Sequence, residues 1–316
     1  MHADQLAALR AVVDHGSFEA GARALHITPS AMSQRIRTLE ARVGSVLVLR
    51  SLPVTVTEAG QVILRLARQI DLLETEALSR LPGAGLATGA AADDGELEGA
   101  VLEVRITVNA DSLATWFRPV FRAAAGWSDA VLRIDIADQD RADRAVAEAQ
   151  SMGATSSRAR AHHGCRVTPL GAMRYVAVAV PGLLARFPAV PGAPAGLRVD
   201  LTRMPMVDYG PDDRLQERFL ALWGAARPRR RTLVPSSEEF RCAVEAGLGW
   251  GMLPEIQLAS GDSPLVPLAV EGSAHIDVPI HWHRWKMPSA ALDRLEAAIV
   301  DAAQALRPLG PAHAGS

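Results

Sequence analysis

Cysteine and lysine are almost missing from this chain. Of its 316 residues two are cysteine, Cys165 and Cys242, and one, Lys286, is lysine. The two cysteines have no metal-ligand spacing and read as buried free thiols in a reducing cytoplasm; exposure would favour a redox sensor instead. No stretch of about 18 apolar residues occurs, so no membrane span is expected. The N-terminus has no basic segment followed by an apolar run, so no signal peptide is expected either. A glycine-rich phosphate loop and a nucleophile elbow are both missing, which argues against an enzyme and against a nucleotide cofactor. His281 and His283 fall on one face of a strand near Trp282 and Trp285. No carboxylate or thiol stands at ligand spacing from them, so no metal is assigned. A strongly basic balance is missing too. The net charge is −2, and residues 1–60 hold six arginines against five carboxylates. Any contact with nucleic acid must therefore rest on where the arginines sit.

What is present is longer than one domain usually needs, and 49% apolar with 22% charged residues is an ordinary globular balance. The arginine- and alanine-rich usage reflects GC-rich coding rather than a function. Residues 18–44 organise the rest. Phe18, Ala22 and Leu25 recur on one helical face. Thr28 is placed to cap a second helix, with Pro29 at its first position, where a missing N–H does no harm. That helix turns Ala31, Ile36 and Leu39 inward and Ser30, Ser33, Gln34, Arg35 and Arg37 outward. Hydroxyl, amide and guanidinium groups on the N-terminal half of a helix can read base edges and grip phosphates in a major groove. The same face could also be an ordinary solvated one.

The order ARALHITPSAMSQRIRTLE over residues 22–40, followed by Val43-Gly44, resembles the winged helix-turn-helix of LysR-type transcriptional regulators. The resemblance implies that Thr28, Ser30, Ser33, Gln34, Arg35, Arg37 and Arg50 face a double-stranded DNA operator. A first helix carried by Leu6, Leu9, Val12 and Val13 ends at Gly16, and Ser17 is placed to cap the next. LVLRSLPVTVT, residues 47–57, alternates and reads as a two-stranded wing. Thr57 and Gly60 match the family's T-x-x-G; Thr55 departs from it, standing where a basic residue is usual.

Ile63, Leu66, Ile70, Leu73 and Ala77 step by three and four along 58–81, which reads as a two-stranded coiled-coil seam. A single buried helix would look similar, but charged flanks favour a seam. A dimer suits a DNA reader, because one recognition helix covers too few bases to specify a site. The resemblance implies a homodimer or homotetramer. The expected division is a winged helix-turn-helix at 1–60, a dimerising linker helix at 58–81, a flexible hinge at 82–99, an effector domain at 100–306 and a disordered tail at 307–316. From Val101 strands alternate with helices, an α/β pattern that predicts parallel sheets covered on both faces. VTPLG and YVAVAV read as separate short strands. The whole resembles the periplasmic-binding-protein-like, two-subdomain effector domain of the LysR family.

Open α/β sheets bind ligands beyond the carboxyl ends of their strands. Asn109, Asp111 and Ser112 start a helix there, as simple caps or as ligand groups. VNADSLATW, GCRVTPLGAMRYVAVA and VPSSEEF resemble the ArgP/LysG branch of the family across residues 3–306. That branch responds to lysine or arginine and activates genes of basic amino-acid export. A basic amino acid needs donors at one end and carboxylates at both cations. Asn109, Asp111, Ser112, Asp208, Ser236, Ser237 and Glu238 lie at strand-to-helix turns and supply both kinds of group. Glu238 has an equal reading as first-turn dipole charge. Asp208-Tyr209 and residues 146–156 depart from the branch, which leaves a different small effector open. Arg227 to Arg231 read as a solvated basic loop. The rival class is an amino-acid-binding or -processing protein without a DNA role; it leaves residues 1–81 unexplained.

Overall fold

The computed structural model describes residues 1–79, 101–137, 142–191, 196–211, 213–259, 263–268 and 274–310. The expected hinge and the last six residues of the expected tail lie outside these. Among the described residues no helix is long and apolar enough to cross a membrane.

Three helices open the chain: α1 (Ala3–Asp14), α2 (Phe18–Ala24) and α3 (Pro29–Val43). Ser17 caps α2, its Oγ accepting from the Ala20 N–H at 3.1 Å. Thr28 caps α3, accepting from the Ala31 N–H at 3.2 Å. Leu6, Leu9 and Val12 of α1 bury against Ala22 and against Met32, Ile36 and Leu39 of α3. The inward residue is thus Met32 rather than the expected Ala31. The steps 32, 36, 39 keep one helical face, and a start at 31 does not. Strands β1 (Val48–Leu49) and β2 (Thr55–Val56) pair antiparallel, Val48 opposite Val56, as a wing. Glu40 ties the wing to α3 by accepting from the Leu47 N–H at 2.9 Å.

Helix α4 (Glu58–Ser79) starts on Thr57, whose Oγ1 accepts from the Gly60 N–H at 3.0 Å. Residue 60 must be glycine, since a Cβ there would meet the Leu47 carbonyl oxygen at 2.0 Å. Leu64, Ala67, Leu72 and Glu76 turn inward against the chain's own core. The expected seam is left half-covered at Ile63, Leu66 and Ile70 and open at Leu73, which is 42% exposed.

Strands β3 (Leu102–Val108), β4 (Ala130–Ile136) and β5 (Gly153–Ser156) form the first lobe's parallel core, with α5 (Ala110–Ala114), α6 (Arg118–Ala124) and α7 (Ala142–Ala147) between them. The long strand β6 (Cys165–Ala179) leads through α8 (Pro181–Arg186) into the second lobe. That lobe holds β7 (Met206–Asp208), α9 (Leu215–Leu222), β8 (Arg231–Leu233), α10 (Ser237–Glu245), β9 (Gly251–Pro254), α11 (Glu255–Leu258) and β10 (Val266–Pro267). Strand β11 (His275–Trp285) returns to the first lobe, and α12 (Ala290–Ala302) closes the fold.

Four further features differ from the sequence expectation. The seven-stranded sheet is mixed, because β6 and β11 cross between the lobes in opposite directions and pair antiparallel. β6 is also one strand, not two. Its register slips once, Ile280 opposite Gly171 and His281 opposite Pro169, so Leu170 is the extra residue of a bulge. Cys165 is buried, but Cys242 is exposed, because α10 turns Phe240, Ala243 and Val244 inward instead. Arg307, placed in the tail by sequence, is held by backbone bonds to Ala172 and by a two-pronged ion pair with Glu255 at 2.8 and 2.9 Å.

α4 is fastened to the effector domain at two places. Arg65 and Arg68 donate to the carbonyls of Ala147 and Ala149 at the end of α7, and Arg68 also pairs with Asp14 of α1. Further along, buried Glu76 accepts from the Ser289 hydroxyl and from the Ala291 N–H at 3.0 Å, capping α12. Leu64 and Ala67 share one apolar cluster with Val146, Cys165 and Trp285.

Candidate functional site

Two surfaces carry the predicted residues, and the first is the outward face of α3. Thr28, Ser30, Gln34, Arg37 and Thr38 are exposed, and Ser33 and Arg35 are half-buried. Gln34 and Thr38 are coupled, the Thr38 hydroxyl donating to the Gln34 carbonyl at 2.8 Å. Arg35 leans back onto Asp4 of α1 at 3.3 Å. Arg37 has no ion-pair partner among the described residues, and neither do Arg23, Arg42 and Arg50. Arg50 instead lies over the Phe18 ring, 5.0 Å from its centre. An exposed guanidinium with no carboxylate to leave is ready for a phosphate.

The second surface is a pocket of about 350 Å³ between the lobes. Its wall includes Asn109, Ala110, Asp111, Ile136 and Ala137 from the first lobe and Tyr209, Asp213, Leu215, Gln216, Pro235, Ser237 and Phe240 from the second. Tyr175 and Met252 come from β6 and β9. The Asp111 carboxylate bridges the lobes. It accepts from the Tyr175 hydroxyl at 2.8 Å and from the Ser237 hydroxyl at 2.7 Å. Gln257 fixes the direction of this chain, donating through Nε2 to Ser237 Oγ at 2.9 Å. Ser237 has one hydrogen, and with its oxygen accepting from Gln257 that hydrogen goes to Asp111. Burial pushes the Asp111 carboxyl above its ordinary value, and the Ser237 and Tyr175 hydroxyls oppose that shift. Among the described residues no cationic side chain lines the pocket.

Of the seven residues expected to meet an effector, three line this pocket: Asn109, Asp111 and Ser237. The other four are engaged elsewhere. Ser112 is fully buried and accepts from the Trp116 indole N–H at 2.9 Å. Asp208 is buried beneath Arg227 and Arg231, which reach its Oδ2 at 3.3 and 3.2 Å. The basic run therefore neutralises a buried carboxylate and is not a merely solvated loop. Ser236 donates to Glu239, and exposed Glu238 pairs with Arg118 across the cleft mouth at 3.0 Å. Sequence reasoning missed Tyr175, Tyr209, Asp213 and Gln216. A signal was there: the chain has two tyrosines, and both are on the wall. Away from the pocket His281 and His283 are buried, with His283 Nε2 bonded to the Arg158 carbonyl at 2.7 Å.

Residues 3–61 match the family described as bacterial regulatory helix-turn-helix protein, lysR family, and residues 98–304 match the LysR substrate binding domain. The lysine export transcriptional regulatory protein LysG of Corynebacterium glutamicum is 38% identical over 98% of this chain and 100% of its own length. A structure of full-length LysG from that organism with bound effector Arg superposes with a TM-score of 0.76, covering 98% of this chain and 100% of that one. The crystal structure of ArgP from Mycobacterium tuberculosis gives a TM-score of 0.80 at 39% identity, covering 97% of this chain and 98% of that one.

Proposed function

The chain belongs to the LysR family of bacterial transcriptional regulators, and on that premise we propose that it activates a gene of basic amino-acid export in response to arginine or lysine. One observation carries the effector class. Among the described residues the pocket wall holds two carboxylates, Asp111 and Asp213, and no arginine, lysine or histidine. Such a wall rejects a second anion and rewards a cation, because a half-buried carboxylate gains most from a charged donor. The arginine bound to LysG of C. glutamicum supports the same class, and the name of that relative supports an export gene as target.

In this reading Thr28, Ser30, Ser33, Gln34, Arg35 and Arg37 of α3 enter a major groove, and Arg50 of the wing holds a phosphate. Two copies pair along the open face of α4, and effector domains join pairs into a tetramer. A ligand that touches both lobes favours one lobe orientation over others, and α4 passes that bias to the operator-bound helices. Asp111 and Ser237 form its contacts near α10, with Asn109 beside them. A gel shift on the protein's own promoter fragment, with and without arginine, tests the regulator. Calorimetry with lysine, arginine, histidine and leucine tests the effector. Leucine binding as tightly as lysine would refute basic side-chain recognition.

A further inference from the structure

We propose that Asp213 and Gln216 form a specificity subsite, a double acceptor for the side-chain cation of the effector, while Asp111 takes its α-amino group. This rests on the basic amino-acid reading above and assigns the ligand's two cations to two different walls.

Gln216 is 2% exposed yet lies on the pocket wall. Its Nε2 donates to the Val207 carbonyl at 3.3 Å, which commits the amide's nitrogen to the protein. Its Oε1 is buried and has no donor among the described residues. A buried carbonyl without a donor is costly, and a ligand N–H in the pocket would satisfy it. Asp213 stands three residues earlier, at the start of α9, where its Oδ1 accepts from the Leu215 N–H at 2.9 Å. Carboxylate and amide oxygen thus come from one short stretch of the second lobe. Together they are rich in acceptors, which suits an ammonium or a guanidinium and offers nothing to a neutral alkyl end.

The opposite wall is built for what every amino acid shares. Asp111 is bonded to Ser237, the first residue of α10. An acceptor for an ammonium therefore stands beside the N–H groups of a helix's first turn, which suit a carboxylate. The α-amino and α-carboxylate groups are adjacent in the same way. The aliphatic stem then runs past Met252 toward the second lobe, and only a side chain ending in a cation rewards Asp213 and Gln216.

The test is calorimetry on the full-length protein with arginine and with citrulline, its neutral counterpart of nearly the same shape. The wild-type protein is expected to prefer arginine by about tenfold or more. Asp213→Asn keeps an acceptor for the Leu215 N–H, so the fold is retained, and should bring that ratio within about twofold of one by weakening arginine alone. Gln216→Met should weaken arginine by a smaller factor, and Asp111→Asn should weaken both ligands together. An Asp213→Asn protein that keeps the wild-type ratio, or that loses both ligands equally while still folded, overturns the assignment and leaves the basic amino-acid reading standing. A wild-type protein that binds neither arginine nor lysine ends that reading, and the subsite with it.

Discussion

The outward face of α3 and the interlobe pocket use charge in opposite ways. On and around α3, Arg23, Arg37, Arg42 and Arg50 stand in water with no ion-pair partner among the described residues. In the pocket, Asp111 is enclosed and braced by two neutral hydroxyls. A free cation at a surface costs little and waits for a polyanion, whose binding releases counterions. An enclosed anion without a cation is held at a cost, and a charged ligand relieves it. A net charge of −2 hides both facts. Partner choice here is decided residue by residue.

The strongest way to break this contrast is Asp111→Asn. Removing one partner of an enclosed charge pair is worth about 2–5 kcal/mol, so arginine affinity should fall by about 30-fold or more in calorimetry, with operator affinity of the effector-free protein unchanged. Loss of both would make Asp111 a structural group. The same carboxylate sets a pH limit. Its folded value is raised, so the ionised form that a cation needs disappears as pH falls through a point above the ordinary carboxylate range. Arginine affinity should therefore drop at a higher pH than free aspartate would predict. In the effector-free protein the sign is reversed. A raised value means that Asp111's contribution to stability is full at low pH and is lost as pH rises through that point. Asp111→Asn should therefore leave the thermal midpoint at neutral pH equal or higher.

On α3 the expected effects are smaller. Arg35→Ala should cost about 1–3 kcal/mol of operator affinity if it reads a base; Arg37→Ala should weaken all sequences alike and lower the salt slope by about one. Unchanged operator affinity at fixed salt would remove Arg35 from the reading set. Ile70→Asp puts a charge into the seam of α4 and should shift sedimentation from dimer toward monomer. A wild-type protein that is already monomeric at micromolar concentration would end the seam. Smallest is Ser17→Ala, which removes one cap and should lower stability by about 1 kcal/mol without changing arginine binding.

The faces of α1 and α3 were legible because a helix repeats its inward side every three or four residues, and errors were confined to one position, Ala31 for Met32. The pocket was legible only in part. Asp208 and Asp213 both sit at the turn between β7 and α9, and nothing in their local sequence separates them. Arg227 and Arg231, distant in the chain, claim the first and leave the second on the pocket wall. Ser112 was lost in the same manner, to an indole one helical turn away. VTPLG and YVAVAV read as two short strands, whereas β6 runs through both and takes up the slip in register at Leu170. Tertiary claims of this kind have no period to betray them.

A rod held at one point can pivot, and a rod held at two must follow its mount. Arg65 and Glu76 fasten α4 at points 11 residues apart, a separation of roughly 16 Å at the helical rise. From Glu76 to the first residue of the helix, Glu58, is about 27 Å at the helical rise, so each degree by which the mount turns about Glu76 sweeps that end through about 0.5 Å. A hydrogen bond to a base edge tolerates a few tenths of an ångström. The gearing is therefore high: on the proposed reading, turns of a few degrees in the effector domain are enough to seat or unseat a recognition helix.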